Sequence, residues 1–304
     1  MKRVCFAVFF VVCALNLNAA NLSGSYVDMC SKYLKIINNK EYEIYVFNFS
    51  KMVDSIEDFK KRFPDKFETS NLGTESGYKY PYLATKHVEA PRYKVFIMAG
   101  QHGTESLSTL SALRWFENNL SSDFFEKERV QVVMLPMANP WGVDNVVRKN
   151  HNDIDTNRQF IDGSTMSLKA WVDKLVSKYG PYDLSLDIHG TLFKEGLFIV
   201  QNGSDIEFAQ QALKSTSHEI LSKSDSGNYP DYRGTNTNPQ KYLMLAPGLS
   251  TSETLGTFKS YMESSGASTR AFTLEYSDKI DENIKIVALE NLMQQMVFTM
   301  RNVD

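Results

Sequence analysis

The chain has 304 residues, 42% of them hydrophobic and 12% aromatic, enough to bury a substantial core as one large domain or two small ones. Its net charge of -3 and pI near 6, with lysines and arginines scattered along the chain, provide no basic field for nucleic acid.

Residues 1–19 open with Lys2 and Arg3, continue through an apolar run over 4–15 and lead to small residues at Ala19 and Ala20. That order is the order of a secretory signal peptide, and its apolar part is too short to span a bilayer. A secreted or periplasmic protein is expected, with residues 20–304 as a single domain. Cys5 and Cys13 would leave with the leader, so that Cys30 has no partner for an internal disulfide and reads as structural or incidental. No second apolar stretch is long enough to cross a membrane.

Residues 41–49 alternate in the manner of a strand, and 51–63 carry Met52, Ile56, Phe59 and Phe63 at helical spacing before Pro64 stops them. The stretch 72–78 predicts a hairpin turn leading into 80–83. Residues 95–99 are then an apolar run of strand length, and Gly100-Gln101-His102-Gly103-Thr104-Glu105 follows at once. The glycines let the backbone turn sharply at the end of that strand. Imidazole nitrogen and carboxylate oxygen are both zinc ligands, and a catalytic zinc takes three protein ligands with one position open. His102 and Glu105 supply two.

Spacing predicts a helix over 107–120 and a buried strand over 129–137, and strand, helix, strand implies a parallel sheet. After the turn Asn139-Pro140-Trp141-Gly142, residues 144–160 form a polar loop that holds Arg148, Asp155, Asn157 and Arg158. A helix over 166–179 precedes a strand over 182–188, and His189 sits at the end of that strand as His102 does after the earlier one. Ligands in open α/β sheets bind beyond the carboxyl ends of strands, so both histidines can reach one point. A short strand at 197–200, a helix at 205–222, a long turn-rich functional loop at 225–247, an apolar strand at 271–276 that includes Glu275 and a helix at 281–300 complete the chain.

Taken together, His102-Gly103-Thr104-Glu105, Asn139-Pro140-Trp141-Gly142 leading to Arg148, Asp155-Thr156-Asn157-Arg158, Asp187-Ile188-His189 and Phe272-Thr273-Leu274-Glu275 resemble, in order, the motifs of the zinc carboxypeptidase family. That family includes carboxypeptidase A and the bacterial murein peptide amidases. The resemblance runs from about Tyr26 to the C-terminus, and the compact spacing from Arg148 to Arg158 is closer to the bacterial members. It implies an α/β fold with a mixed, mostly parallel central sheet between helices and one catalytic domain. The implied cofactor is one zinc ion, held by His102, Glu105 and His189.

Under that resemblance Glu275 is the general base, Arg148 faces the oxyanion, Asn157 and Arg158 grip a free substrate carboxylate, and Asp155 orients His102. The implied activity is hydrolysis of an amide bond next to a free carboxylate in a cell-wall peptide, with ordinary peptides second. The expected partner is such a substrate, and no obligate protein partner is evident. The family's mobile tyrosine has no counterpart before Glu275, where Leu249-Ser250-Thr251 stand; Tyr242 or Tyr261 is left open as a substitute. The substrate side chain is expected near residues 256–259. His87, His151 and His218 fall outside the pattern and read as surface residues. Two rivals are an N-acyl amino acid deacylase of the aspartoacylase or succinylglutamate desuccinylase type, and a zinc-containing peptide-binding protein without turnover.

Overall fold

A computed structural model describes residues 26–37, 40–86, 88–191, 196–201, 205–214, 243–245, 255–277 and 281–303. Residues 1–25, with the expected leader among them, and His87, His218, Tyr242 and residues 249–251 lie outside them. The chain starts with an antiparallel pair, β1 (Ser31–Ile37) and β2 (Lys40–Val46), and α1 (Phe49–Arg62). There follow β3 (Phe67–Glu75), β4 (Tyr78–Thr85), β5 (Tyr93–Ala99), α2 (Leu107–Ser121), α3 (Phe124–Lys127), β6 (Val130–Leu135), α4 (Pro140–Asp144) and α5 (Ser167–Tyr179). The last elements are β7 (Tyr182–Thr191), β8 (Leu197–Gln201), α6 (Ile206–Lys214), β9 (Leu243–Leu245), α7 (Phe258–Ser264), β10 (Ser268–Ser277) and α8 (Glu282–Val303).

Among the described residues, β3 to β10 form one eight-stranded sheet in the order β3-β4-β6-β5-β7-β10-β8-β9. The central run β6-β5-β7-β10 is parallel throughout, while the flanks add antiparallel contacts at β3-β4, β4-β6 and β10-β8. The fold is therefore α/β with a mixed sheet, and its parallel part is the centre.

Burial explains the unbroken apolar reading of β5. Val95, Ile97 and Ala99 pack into one core with α1, α2, α6 and α8, whereas Phe96 and Met98 pack into a second core with α5 and α7. A parallel strand covered on both faces has no reason to alternate. Strand β7 keeps the same division, with Leu184, Leu186 and Ile188 on the first face. Residues two apart on a strand share a face, so Ser185, Asp187 and His189 belong to the other.

Several expectations shift in detail. The strand expected over 41–49 stops at Val46, because Asn48 caps α1 by accepting the Lys51 N–H at 3.0 Å. The hairpin expected around 72–78 is β3-β4, closing through Ser76 and Gly77, which both have positive φ. Within the loop expected over 225–247, Leu243–Leu245 form β9 and pair with β8. The helix expected over 205–222 is described only as α6, and its remainder lies outside the described residues.

Two glycines bring backbones together beside the central strands. A Cβ on Gly103 would lie 2.0 Å from the Gly142 carbonyl carbon, 2.1 Å from its oxygen and 2.3 Å from the Val147 oxygen, all main-chain atoms. Nothing there can rotate away. Gly103→Ala is therefore expected to lower the thermal midpoint well below that of Gly77→Ala. Gly77 has φ +83 but open space around it, so alanine meets only backbone strain there. Thermal unfolding of both variants checks this; equal midpoints would remove the close contact as a constraint.

Candidate metal centre

The main chain leaves β5 at Ala99 and turns through Gly100, at φ +64, into a short 3-10 turn, Gly103–Glu105. Gly100 N–H donates to Ser108 Oγ, and Ser108 Oγ donates to the Glu105 carbonyl, which fastens the turn to the start of α2. The next strand end holds the same level from the other side, since the Ala138 and Asn139 N–H groups donate to the Ala99 and Gly100 carbonyls. Asn139 caps α4 and donates to the Arg148 carbonyl, while Gly103 N–H donates to that same carbonyl. The Asn-Pro-Trp-Gly motif thus seats the Arg148 loop against the turn that bears His102 and Glu105.

His189 arrives from the end of β7, and β10 lies alongside with Glu275 in register opposite His189. The three ring and carboxylate groups converge. His102 Nδ1 is 2.9 Å from Glu105 Oε1, His189 Nδ1 is 2.8 Å from Glu105 Oε2, and the two Nδ1 atoms are 3.1 Å apart. Among the described residues this is the group of His, Cys, Asp and Glu side chains whose ligand atoms lie together, within 4.8 Å of one another. All three residues are buried.

The outer nitrogens decide whether the set fits a metal. His102 Nε2 is 3.1 Å from Asp155 Oδ1, and His189 Nε2 is 3.0 Å from Asp187 Oδ1. A carboxylate at Nε2 fixes the proton there and leaves Nδ1 as a bare donor, which is the usual support behind a metal-bound imidazole. Two bare ring nitrogens and one carboxylate around a single point fit a divalent ion with a position left for water.

The electrostatics agree with a crowded anionic site. Burial alone would raise the Glu105 carboxyl, but the charges and hydrogen bonds of His102 and His189 hold it well below the usual range. Burial likewise opposes ionisation of Asp155, and His102, Arg148 and Arg158 outweigh it. Burial pushes Glu275 well above the ordinary carboxylate range; His189 works against the shift, and Glu105 and Asp187 add to it. Its Oε2 is buried without a hydrogen-bond partner among the described residues.

The remaining sequence candidates lie around this centre in different ways. Arg148 is half exposed; its Nη2 is 3.0 Å from Asp155 Oδ2 and its Nη1 is 3.5 Å from Glu105 Oε1. Asp155 does stand behind His102 as expected, and it also caps the 155–158 turn by accepting the Asn157 N–H at 3.0 Å. Arg158 Nη1 donates to the Asn157 carbonyl at 2.8 Å and leaves the rest of its guanidinium fork in a partly exposed position. Asn157 differs from the expectation for a substrate-gripping side chain. Its amide is buried, with Oδ1 accepting the Phe258 N–H at 2.9 Å and Nδ2 turned toward His189 and Asp187.

Tyr261 hydrogen-bonds Asp173 and stacks on Phe160, which fixes its hydroxyl to α5 rather than to the metal centre. Thr257 caps α7, and the buried Lys259 pairs with Glu263, within the stretch expected near the substrate side chain. His151 is exposed. The Cys30 thiol is pushed up to about 12 by burial, and so remains protonated. Asp187 and Gln101 were missed as functional residues. The available signal was Asp187 itself, a carboxylate inside an apolar strand, where burial demands a partner.

No protein-family model matches the sequence, and no curated protein matches it significantly. Solved structures do. A metallo-carboxypeptidase from Burkholderia cenocepacia is 17% identical, with 90% of this chain and 78% of that one covered at a TM-score of 0.63. Carboxypeptidase A from Helicoverpa armigera is 16% identical over 84% of this chain and 73% of that one, at 0.60. Thrombin activatable fibrinolysis inhibitor is 17% identical over 85% and 75%, at 0.61. The chain has a zinc carboxypeptidase-like fold. In that fold the His102, Glu105 and His189 group could hold a metal.

Wild-type protein is expected to take up one zinc per chain, and His102→Ala with His189→Ala to abolish uptake. Zinc should also raise the thermal midpoint of the wild type and not of the double variant, since a ligand that binds only the native state stabilises it. Elemental analysis with thermal scans checks both; full zinc occupancy in the double variant would dismiss this ligand set.

Proposed function

We propose that the chain is a secreted zinc-dependent carboxypeptidase or amidase that hydrolyses an amide bond next to a free carboxylate, in cell-wall peptides. The observation that carries the reading is Glu275. It lies opposite His189 across β7 and β10, beside the metal group but outside it, with a buried oxygen that nothing else engages. A binding protein without turnover has no use for an unpaired carboxyl held there, since leaving it so costs stability.

His102, Glu105 and His189 would hold the zinc, which when bound supplies a Lewis acid and a water acidified to a pKa of about 7. With the metal in place, Glu275 would accept a proton from the attacking water at its unpartnered Oε2 and return it to the amine nitrogen as the C–N bond breaks. Arg148 is anchored to Asp155 through Nε and Nη2, and its Nη1 side points at Glu105. From there its charge opposes the negative charge that gathers on the carbonyl oxygen in the transition state. Arg158 presents a planar fork suited to a terminal carboxylate. The basic, apolar and small-residue order of residues 1–19 supports export, and the compact Arg148 to Arg158 spacing supports a bacterial wall peptide as substrate.

Glu275→Gln is nearly isosteric and is expected to keep zinc while kcat falls about 10²–10⁴-fold, the usual contribution of a general base. Zinc content and turnover on one preparation decide it. Near-normal kcat would mean that another group activates the water, and lost zinc would move Glu275 into the ligand shell.

Substrate carboxylate recognition gives a second check, with muropeptides and ordinary peptides compared as free acids and as amides. Amidation should lower kcat/KM at least about a hundredfold, because it leaves a guanidinium without its anion. Equal cleavage of the two forms would exclude a carboxylate grip.

A further inference from the structure

Next to the metal group, on the Nε2 side of His189, lies a second buried polar cluster. Asp187 has no exposed surface, stands two residues before His189 on the same face of β7, and is paired in register with Met98 of β5 and Thr273 of β10. Its Oδ1 is 3.0 Å from His189 Nε2 and accepts from Gln101 Nε2 at 2.6 Å. Its Oδ2 is 3.4 Å from Asn157 Nδ2. That same Nδ2 is 3.0 Å from His189 Nε2. If His189 Nδ1 is to coordinate, Nε2 must carry the proton, and two donors cannot satisfy each other. The Asn157 amide then has Asp187 Oδ2 as its acceptor.

We infer that Asn157 is a positioning residue for His189, acting through Asp187, and that the substrate's carboxylate is left to the arginines. The carboxylate of Asp187 fixes the ring of His189 with Nδ1 facing Glu105, and Gln101 and Asn157 fix the carboxylate. Asn157 also accepts the Phe258 N–H through Oδ1, so one side chain joins the support of the metal ligand to the start of α7. Both ends of the amide are engaged inside the protein. A residue so placed acts on the metal before any substrate is present.

The inference rests on the metal reading of His189, and its test therefore uses zinc alone. Zinc affinity would be measured by competition with a chromogenic chelator for the wild type, Asp187→Asn and Asn157→Ala. Removing support of this kind typically weakens metal affinity about 10–100-fold, and both variants are expected in that range. Cobalt substitution adds a readout that a merely structural role would not move: the ligand-field spectrum of both variants should shift from that of the wild type. In turnover, Asn157→Ala should keep the wild-type ratio of kcat/KM between free-acid and amidated substrates.

Unchanged zinc affinity and cobalt spectrum in Asn157→Ala, with a collapsed free-acid preference, would overturn the inference and return Asn157 to the substrate. Asp187→Asn preserves shape and carries the test if Asn157→Ala does not fold; wild-type zinc affinity in a folded Asp187→Asn would equally overturn it. A wild type that binds no zinc would instead be the failure of the metal reading itself.

Discussion

The structure depends on how buried negative charge is neutralised beside the parallel strand ends. Glu105, Asp155 and Asp187 each contact a histidine, the charges of Glu105 and Asp187 bear on Glu275, and unpaired ions in such a place cost several kcal/mol each. Three of the four are matched. Glu105 lies against both Nδ1 atoms and accepts the Gly190 N–H, Asp155 takes His102 and Arg148, and Asp187 takes His189 and Gln101. The result is that each imidazole faces a carboxylate at both of its nitrogens. A neutral imidazole can donate from only one of them. Either both rings are imidazolium, or the inner nitrogens and Glu105 share a divalent cation, which supplies the same two positive charges without protonating either inner nitrogen. The metal reading thus follows from the hydrogen-bonding demand of the outer carboxylates as well as from the inner three groups.

That charge can be concentrated there because of sheet geometry. Parallel strands β5, β7 and β10 all end at the same edge, and the register places Glu275 beside His189 and Thr273 beside Asp187. Strands β7 and β10 cover an apolar core on one face with Leu184, Leu186 and Ile188 and with Phe272, Leu274 and Tyr276, so Asp187, His189, Thr273 and Glu275 line up on the other face without leaving the sheet. Gly190 allows the approach of the Tyr276 ring, whose atoms would lie 2.6 Å from a Cβ at that position. The same glycine donates its N–H to Glu105.

Much of this was legible in the sequence, and for a physical reason. Apolar runs ended by Gly100 and by His189-Gly190 mark strand ends directly, and polar residues at a strand end are where an α/β sheet carries chemistry. The placement of His102, Glu105, His189 and Asp155 together followed from that rule and from the family resemblance. What stayed hidden depended on partners far away in the chain. Asp187 has its meaning from Gln101 and Asn157, residues 86 and 30 positions away, and no local period reports such a contact. Strand β9 is three residues long, and its pairing with β8 rather than its own composition makes it a strand. Tyr261, left open by the sequence as a substitute for the family's tyrosine, is held by Asp173 on α5.

The loop from Asn139 to Arg158 shows how a polar segment can be as well determined as a strand. Asn139, Asn150 and Asp155 each accept main-chain N–H groups a few residues ahead, so three local turns fix the loop's shape from within. Two contacts then fix it from outside: Gly103 lies against Gly142 and Val147, and the Arg158 carbonyl lies 2.5 Å from where a Cβ on Gly256 would stand. Arg148 and Arg158 are consequently carried by backbone that touches, on one side, the turn bearing His102 and Glu105 and, on the other, the turn leading into α7. Arg148 is held near Glu105 by that backbone together with its contacts to Asp155. Extra residues between the two arginines would have to bulge out of a segment already tied at both ends.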